Sequence, residues 1–453
     1  MIKIGLEIHG YIDTKEKLFC NCNAIHGAKL TKPNTNICPV CTGQPGAKPM
    51  ATNKEALNKA IQIALILGCK INKNPAWQRK HYSWPDLPKG YQNTLSGPHA
   101  IPTGENGKFR GIKIRECHLE EDPAAWNPKT GEIDYNRSGI PLIEIVTEPD
   151  FKDSTQVSLW LKDLMATLSY IKSIDKKLGI KSDVNVSIKE SGFSRIEIKN
   201  VNSIKNIKNV IDIEISRQQK EHPKEQETRR YDPEKGKTSK MRSKENAEEY
   251  RFISDPDLPT INLTEKRITN VKTKTPETPF EKLEKIIKKH KIQKSSAEIL
   301  TKNIDVIDLF ENTIKKINKN LSVRWITEEL FSVLNYNKKE LEDLDLNQEH
   351  FIELLKLIEE NKISELKAKE ILRSWKEKSF SPLKEIGKHK QISNKGEMDK
   401  IIKEIIQKNK QAVDDYRSGK KWAINFLIGK VMEKTNKRAD YKITKELLIK
   451  ELS

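Results

Sequence analysis

The chain has 453 residues, of which 83 are lysine or arginine and 64 are aspartate or glutamate, giving a formal net charge of +19 at pH 7. That length asks for roughly two to four domains, and the absence of any apolar run of about 18 residues excludes a membrane-spanning helix. The basic excess favours a polyanionic partner such as RNA, although lysine-rich runs like IIKKHKIQK are also what a general Ile/Lys/Asn bias produces.

At the start of the chain, Ile2, Ile4, Leu6 and Ile8 alternate with Lys3, Gly5, Glu7 and His9. Period two puts the aliphatics on one face of a strand and Gly5, Glu7 and His9 on the other. A glutamate and a histidine two apart could share a metal or a phosphate; a half-buried strand with a wet face fits equally. No charged-then-apolar leader precedes this strand, so a cytoplasmic protein is expected. Next, Cys20-Asn-Cys22 and Cys38-Pro-Val-Cys41 give the ligand count and knuckle spacing of a tetrahedral Zn²⁺ site. With four cysteine ligands no position is open for chemistry, so this zinc is expected to hold a loop. Cys69 and Cys117 stand alone as small core residues, which agrees with a reducing compartment.

Glu55 to Leu67 reads as a helix with Ala56, Leu57, Ala60, Ile61, Ala64 and Leu67 on one stripe. The stretch Arg79–Gln92, with Pro85, Pro88, Gly90 and the cations Lys80 and Lys89, reads as an irregular loop. Such a loop either binds phosphates or nucleotides or is a structural Pro-aromatic turn. Between Arg115 and Asp150 the carboxylates of Glu116, Glu120, Glu121, Asp122, Glu132, Asp134, Glu144, Glu148 and Asp150 crowd together. On so basic a chain this points to a hard cation with oxygen ligands, the alternative being a solvated acidic loop. Glu144 sits inside the apolar run Ile140–Val146, where a carboxylate is costly unless it is used. Glu120 and Glu121 would face opposite sides of a strand, so at most one serves a site without a bulge.

Asp153 or Ser154 caps the next helix, and two alternating strands follow, Asp183–Ile188 and Arg195–Lys199, joined by a turn at Glu190-Ser-Gly192. Ile204 to Ile215 is a further helix. These strands predict an α+β fold: an antiparallel sheet packed on helices, with an open face of polar side chains. Composition changes near Lys272–Phe280 and again between Phe380 and Gly396. Three parts are therefore expected: an N-terminal domain over 1–280 with the knuckle at 20–41, an all-helical domain over 281–385, and a helical tail domain over 396–453. In the tail, Met398, Ile401, Ile402, Ile405 and Ile406 form a stripe, and Phe426–Met432 carries the last helix expected. Arg417, Lys420, Lys421 and Trp422 lie near a glycine turn, suited to RNA backbone contact or to a solvated lysine face.

Taken together, IGLEIH (Ile4–His9), LFCNC, NICPVCTGQPGAKP, RKHYSWPDLPKGYQ, HLEED (His118–Asp122), NRSGIPLIEIVTEPD (Asn136–Asp150), DVNVSI, EIKNVNS, KMRSKE, DPDLP and FLIGKVM resemble the B subunits of aspartyl/glutamyl-tRNA amidotransferases, of an archaeal-like kind. The resemblance runs essentially end to end. It implies a ligase component whose N-terminal cradle phosphorylates the side-chain carboxylate of misacylated Asp-tRNA(Asn) or Glu-tRNA(Gln) with ATP. Ammonia from a partner amidase, held to it by a small third protein in a heterotrimer, then gives the amide. The resemblance further implies His9, Glu121 and Glu144 as Mg²⁺ ligands, Glu7 as a functional acid, and the cysteine quartet as the family's zinc knuckle. Lys80 and Lys89 are candidates for the phosphate oxygens of ATP. A tRNA-binding scaffold without activity and a metal-dependent RNA hydrolase are the competing classes. Ser83-Trp84 replaces the family's common Phe-Tyr pair, and Arg438-Ala-Asp-Tyr441 departs from its usual turn.

Overall fold

The strand Ile2–Tyr11 runs through the middle of the N-terminal unit, paired antiparallel with Ile180–Ile188 on one side and with Pro141–Thr147 on the other. In the computed structural model of the chain, the residues described are 1–25, 32–175, 178–243, 250–385 and 395–452. Among them the sheet has twelve strands. Beyond Pro141–Thr147 it continues through Ile112–Glu121, Tyr91–Thr94 and Gln78–His81 to the edge strand Arg251–Ser254. Beyond Ile180–Ile188 it continues through Ile196–Asn202 and Glu227–Asp232 to Lys237–Ser243. One neighbouring pair, Ile196–Asn202 with Glu227–Asp232, is parallel, and the helix Ile204–Glu221 makes the crossover that a parallel pair requires.

The alternation of the first strand is realised as read: Ile4, Leu6 and Ile8 are at most 1% exposed. Each contributes roughly 1.5–3 kcal/mol by leaving water. The helices Lys54–Ile66, Ser154–Tyr170 and Ile204–Glu221 supply the matching apolar stripes, including Ala60, Ile61, Leu161, Leu164, Val210 and Ile211. Asn53 caps the first helix by accepting from the amides of Glu55 and Ala56, and Asp153 caps the second by accepting from Gln156. The third helix outruns its expected end at Ile215 by reaching Glu221, because Val210, Glu214 and Gln218 continue its buried face. Cys69 and Cys117 are buried in the core. The stretch Arg79–Gln92 is less irregular than its composition suggested: its ends pair as Arg79–His81 against Tyr91–Asn93, and the prolines occupy the connection.

The chain divides into two compact units, Met1–Pro279 and Phe280–Ser453. The second is helical among its described residues, with a π-turn over Trp325–Leu330 between two short α-helices. Its last helices pack Met398, Ile402, Ile405, Leu427, Val431 and Leu448 into one cluster. The expected last helix spans Ala423–Lys434 but is followed by another, Tyr441–Leu452, whose amphipathic stripe is thin: Thr444, Leu448 and Leu452 are its buried residues. Most of the break expected between 385 and 396 lies outside the described residues, as does part of KMRSKE. No described helix is long and apolar enough to cross a membrane.

Candidate active site on the open sheet face

Strand register builds the site. Glu144 lies directly opposite His9 on one neighbouring strand and His118 on the other. Period two then places Glu7, His9, Glu120 and Glu144 on the face away from the apolar helices. A bulge between Ile114 and Glu116 resets the register so that His118, not its neighbour, meets Glu144. His9 Nδ1 is 3.3 Å from Glu120 Oε1, and His118 Nε2 is 3.1 Å from Glu144 Oε2. Ligand atoms of His9, Glu120 and Glu144 lie within 4.8 Å of one another. That separation fits a cation with bonds of about 2.1 Å, for which opposite octahedral ligands stand about 4.2 Å apart.

The electrostatics follow from burial in a ring of opposite charges. Burial works against a charged His9, yet the Glu144 carboxylate and the hydrogen bond with Glu120 raise it to about 10. Burial also works against a charged Glu144, but His118 and His9 hold it well below the carboxylate range, with Lys80 adding to the effect. Burial raises Glu7, and the Glu144 charge raises it further. Lys80 thus belongs to the site: its partner Gln92 shares a face with Thr94, which opposes Glu120. Its ammonium also lies 4.6 Å from the ring centre of Tyr250.

Two expectations about this site need correction. Glu121, expected beside His9 and Glu144, faces the other side of the sheet with Cys117 and Leu119. There its Oε1 is 2.5 Å from Lys89 Nζ and accepts from the Asn93 amide at 3.0 Å. The carboxylate that joins His9 and Glu144 is Glu120. Lys89 is likewise turned away, held between Glu121 and Asn93 Oδ1 at 2.8 Å, so it does not share the face of Lys80. The cause is the plain alternation from Glu116 to the strand's last residue, with no bulge at Glu120–Glu121.

A second acidic group adjoins the first. Glu7, Asp183 and Glu197 bring carboxylate oxygens within 4.8 Å of one another. Here the chain supplies its own cations: Lys199 Nζ lies 2.6 Å from Asp183 and 2.9 Å from Glu197, and Arg195 reaches Glu7 at 3.1 Å. Sequence reading placed these side chains on polar faces but did not join them, since their joining depends on the pairing Glu7↔Asp183 and Asn185↔Glu197. His118 was given no role, and Glu116 was read only as one of the crowded carboxylates. The alternation Glu116, His118, Glu120 was the available signal.

The four knuckle sulfurs of Cys20, Cys22, Cys38 and Cys41 also lie within 4.8 Å of one another, Cys38 and Cys41 at 3.9 Å. Zinc–sulfur bonds of about 2.3 Å require a tetrahedral edge of about 3.8 Å, so this donor set fits zinc. The hydrogen bond from Cys20 draws Cys41 down to about 5, and the ammonium of Lys17 helps. Lys17 is itself buried, donating to the carbonyls of Asn36 at 3.1 Å and Tyr135 at 3.2 Å. In the tail, Arg417, Lys420 and Lys421 are exposed around Gly419, which has φ +98°, and Trp422 is 65% exposed. Lys420 is paired with Asp415 at 2.9 Å.

The largely antiparallel sheet of the N-terminal unit thus presents, on its polar face, a His/Glu donor set that fits a cation. Residues 2–269 match the family model described as the GatB/GatE catalytic domain, and residues 308–452 match the one described as the GatB domain. The chain belongs to the GatB/GatE family, as one of the B subunits of tRNA-dependent amidotransferases. It is 43% identical to the B subunit of the aspartyl/glutamyl-tRNA(Asn/Gln) amidotransferase of Methanocaldococcus jannaschii, over 99% of this chain and 97% of that one. It is 40% identical to the proteins of the same name in Methanopyrus kandleri and Methanococcus maripaludis, over 99% and 100% of this chain and 98% of each relative.

Proposed function

We propose that the chain activates the side-chain carboxylate of a misacylated tRNA, Asp-tRNA(Asn) or Glu-tRNA(Gln), within an amidotransferase that also holds an amidase and a small third protein. The carboxylate oxygen takes the γ-phosphoryl group of ATP and ADP leaves. Ammonia then attacks the carbonyl carbon, phosphate departs, and a proton is released as the amide forms. The observation that carries this reading is the His9/Glu120/Glu144 trio on the open polar face, next to Lys80. These three residues would hold Mg²⁺, which when bound supplies charge neutralisation between ATP and the acceptor carboxylate. Lys80 binds a phosphate oxygen, and a preorganised cation there costs no reorganisation as charge moves. Glu7, kept on the same face by Arg195 and Asn185, lines the approach to the trio. The cysteine quartet holds structural zinc, and Arg417, Lys420 and Lys421 of the tail domain, 396–453, contact tRNA backbone.

The test is reconstitution with the two partner proteins, Mg²⁺, ATP, glutamine and each misacylated tRNA in turn. Amide and ADP should appear in equal amounts, with the preferred tRNA answering the substrate question. Amide formed without ATP consumption, or ATP-independent cleavage of the RNA, would overturn the reading.

A further inference from the structure

His118 is fully buried, yet it takes no part in the trio that would hold the cation. Burying an imidazole costs free energy unless its nitrogens are used. Its Nε2 is used: it lies 3.1 Å from Glu144 Oε2, and because a carboxylate of this charge can only accept, Nε2 must carry the hydrogen. The other nitrogen, Nδ1, is buried without a hydrogen-bond partner, 3.6 Å from Glu116 Oε1. Glu116 is in turn fixed by the hydroxyl of Ser96, which donates to its Oε1 at 2.5 Å. Ser96, Glu116, His118 and Glu144 therefore form a line leading from the connection after Tyr91–Thr94 to the edge of the trio. A merely space-filling residue would need none of these polar contacts, and the leucine and cysteine flanking His118 are the ordinary core choice.

We infer that His118 is the positioning residue of the cation site: its Nε2–H engages Oε2 of Glu144, fixing the carboxylate plane so that the other oxygen is left for the cation shared with His9 and Glu120. This rests on the proposed cation site. Outer hydrogen bonds of this kind orient ligands and typically change metal affinity about 10–100-fold.

Two amides of similar polarity separate positioning from packing. In His118→Gln the amide nitrogen reaches the place of Nε2, whereas in His118→Asn it reaches only the place of Nδ1. Mn²⁺ binding to the full chain is measured by calorimetry, with His9→Ala as the reference for the site and thermal unfolding recorded for each variant. The parent should bind Mn²⁺ and His9→Ala should not. His118→Gln should stay within about 3-fold of the parent, and His118→Asn should be weaker by about 10-fold or more. Equal affinity in the two variants, whether parental or lost, overturns the role of His118. A parent that binds no better than His9→Ala overturns the cation site itself.

Discussion

Glu144 stands between two imidazoles, and its charge is what both of them answer to. Replacing it by glutamine keeps the shape and removes the charge. In Glu144→Gln the ATP-dependent amide yield should fall about 100-fold or more, the scale on which lost electrostatic stabilisation shows in turnover, while tRNA affinity stays parental in a filter-binding assay. His9 makes the pH behaviour specific. Its folded value of about 10 stands above the ordinary 6.5, so the stability it gives the cation-free protein is fully present below pH 6.5 and is lost as pH rises towards 10. Denaturant midpoints of the cation-free chain should decline across that window, and His9→Asn should flatten the decline. A cation must displace the His9 proton, so Mn²⁺ affinity measured by calorimetry should increase over the same window.

At the scale of elements, the knuckle and the connection after Gln78–His81 are locked together. Gly43 has φ +64°, and a side chain there would run into the Pro88 carbonyl and the Lys89 amide. Gly43→Ala should cost about 1–3 kcal/mol from the backbone conformation alone, with the collision added, read as a lowered melting temperature. Gly46→Ala, at φ +84° but in open space, should cost less. Much at this scale was legible. The alternation of Ile2–Tyr11, the cap at Asp153, and the CxC and CxxC pairs each carry local rules that nothing in the fold overrode. What was not legible was lateral: which polar faces meet across strands. The choice between Glu120 and Glu121 was reduced by the pleat to one of two, but picking one required the neighbouring strands. The link between Glu7 and Asp183 required the register of strands more than 170 residues apart in the chain. The final helix escaped because its apolar stripe is too thin to mark a period.

At the scale of the whole molecule, the net charge of +19 is spread through lysine-rich helices, so charge alone does not locate an RNA surface. The tail makes a local claim that can be checked. Substituting Arg417→Ala with Lys421→Ala should weaken tRNA binding whatever its sequence, and should lower the slope of log affinity against log salt by about 1.4–1.8 if both cations contact phosphates. Lys420→Ala should do less, since Asp415 already holds that ammonium. An unchanged slope would place the RNA contact elsewhere.

The most direct measurement compares Glu120→Gln with Glu121→Gln in the reconstituted enzyme, following amide formation and Mn²⁺ affinity together. The site geometry predicts that Glu120→Gln loses both, while Glu121→Gln, released from Lys89 on the opposite face, keeps parental Mn²⁺ affinity. Loss of Mn²⁺ binding in Glu121→Gln with full retention in Glu120→Gln would contradict the assignment of His9, Glu120 and Glu144 as the cation site.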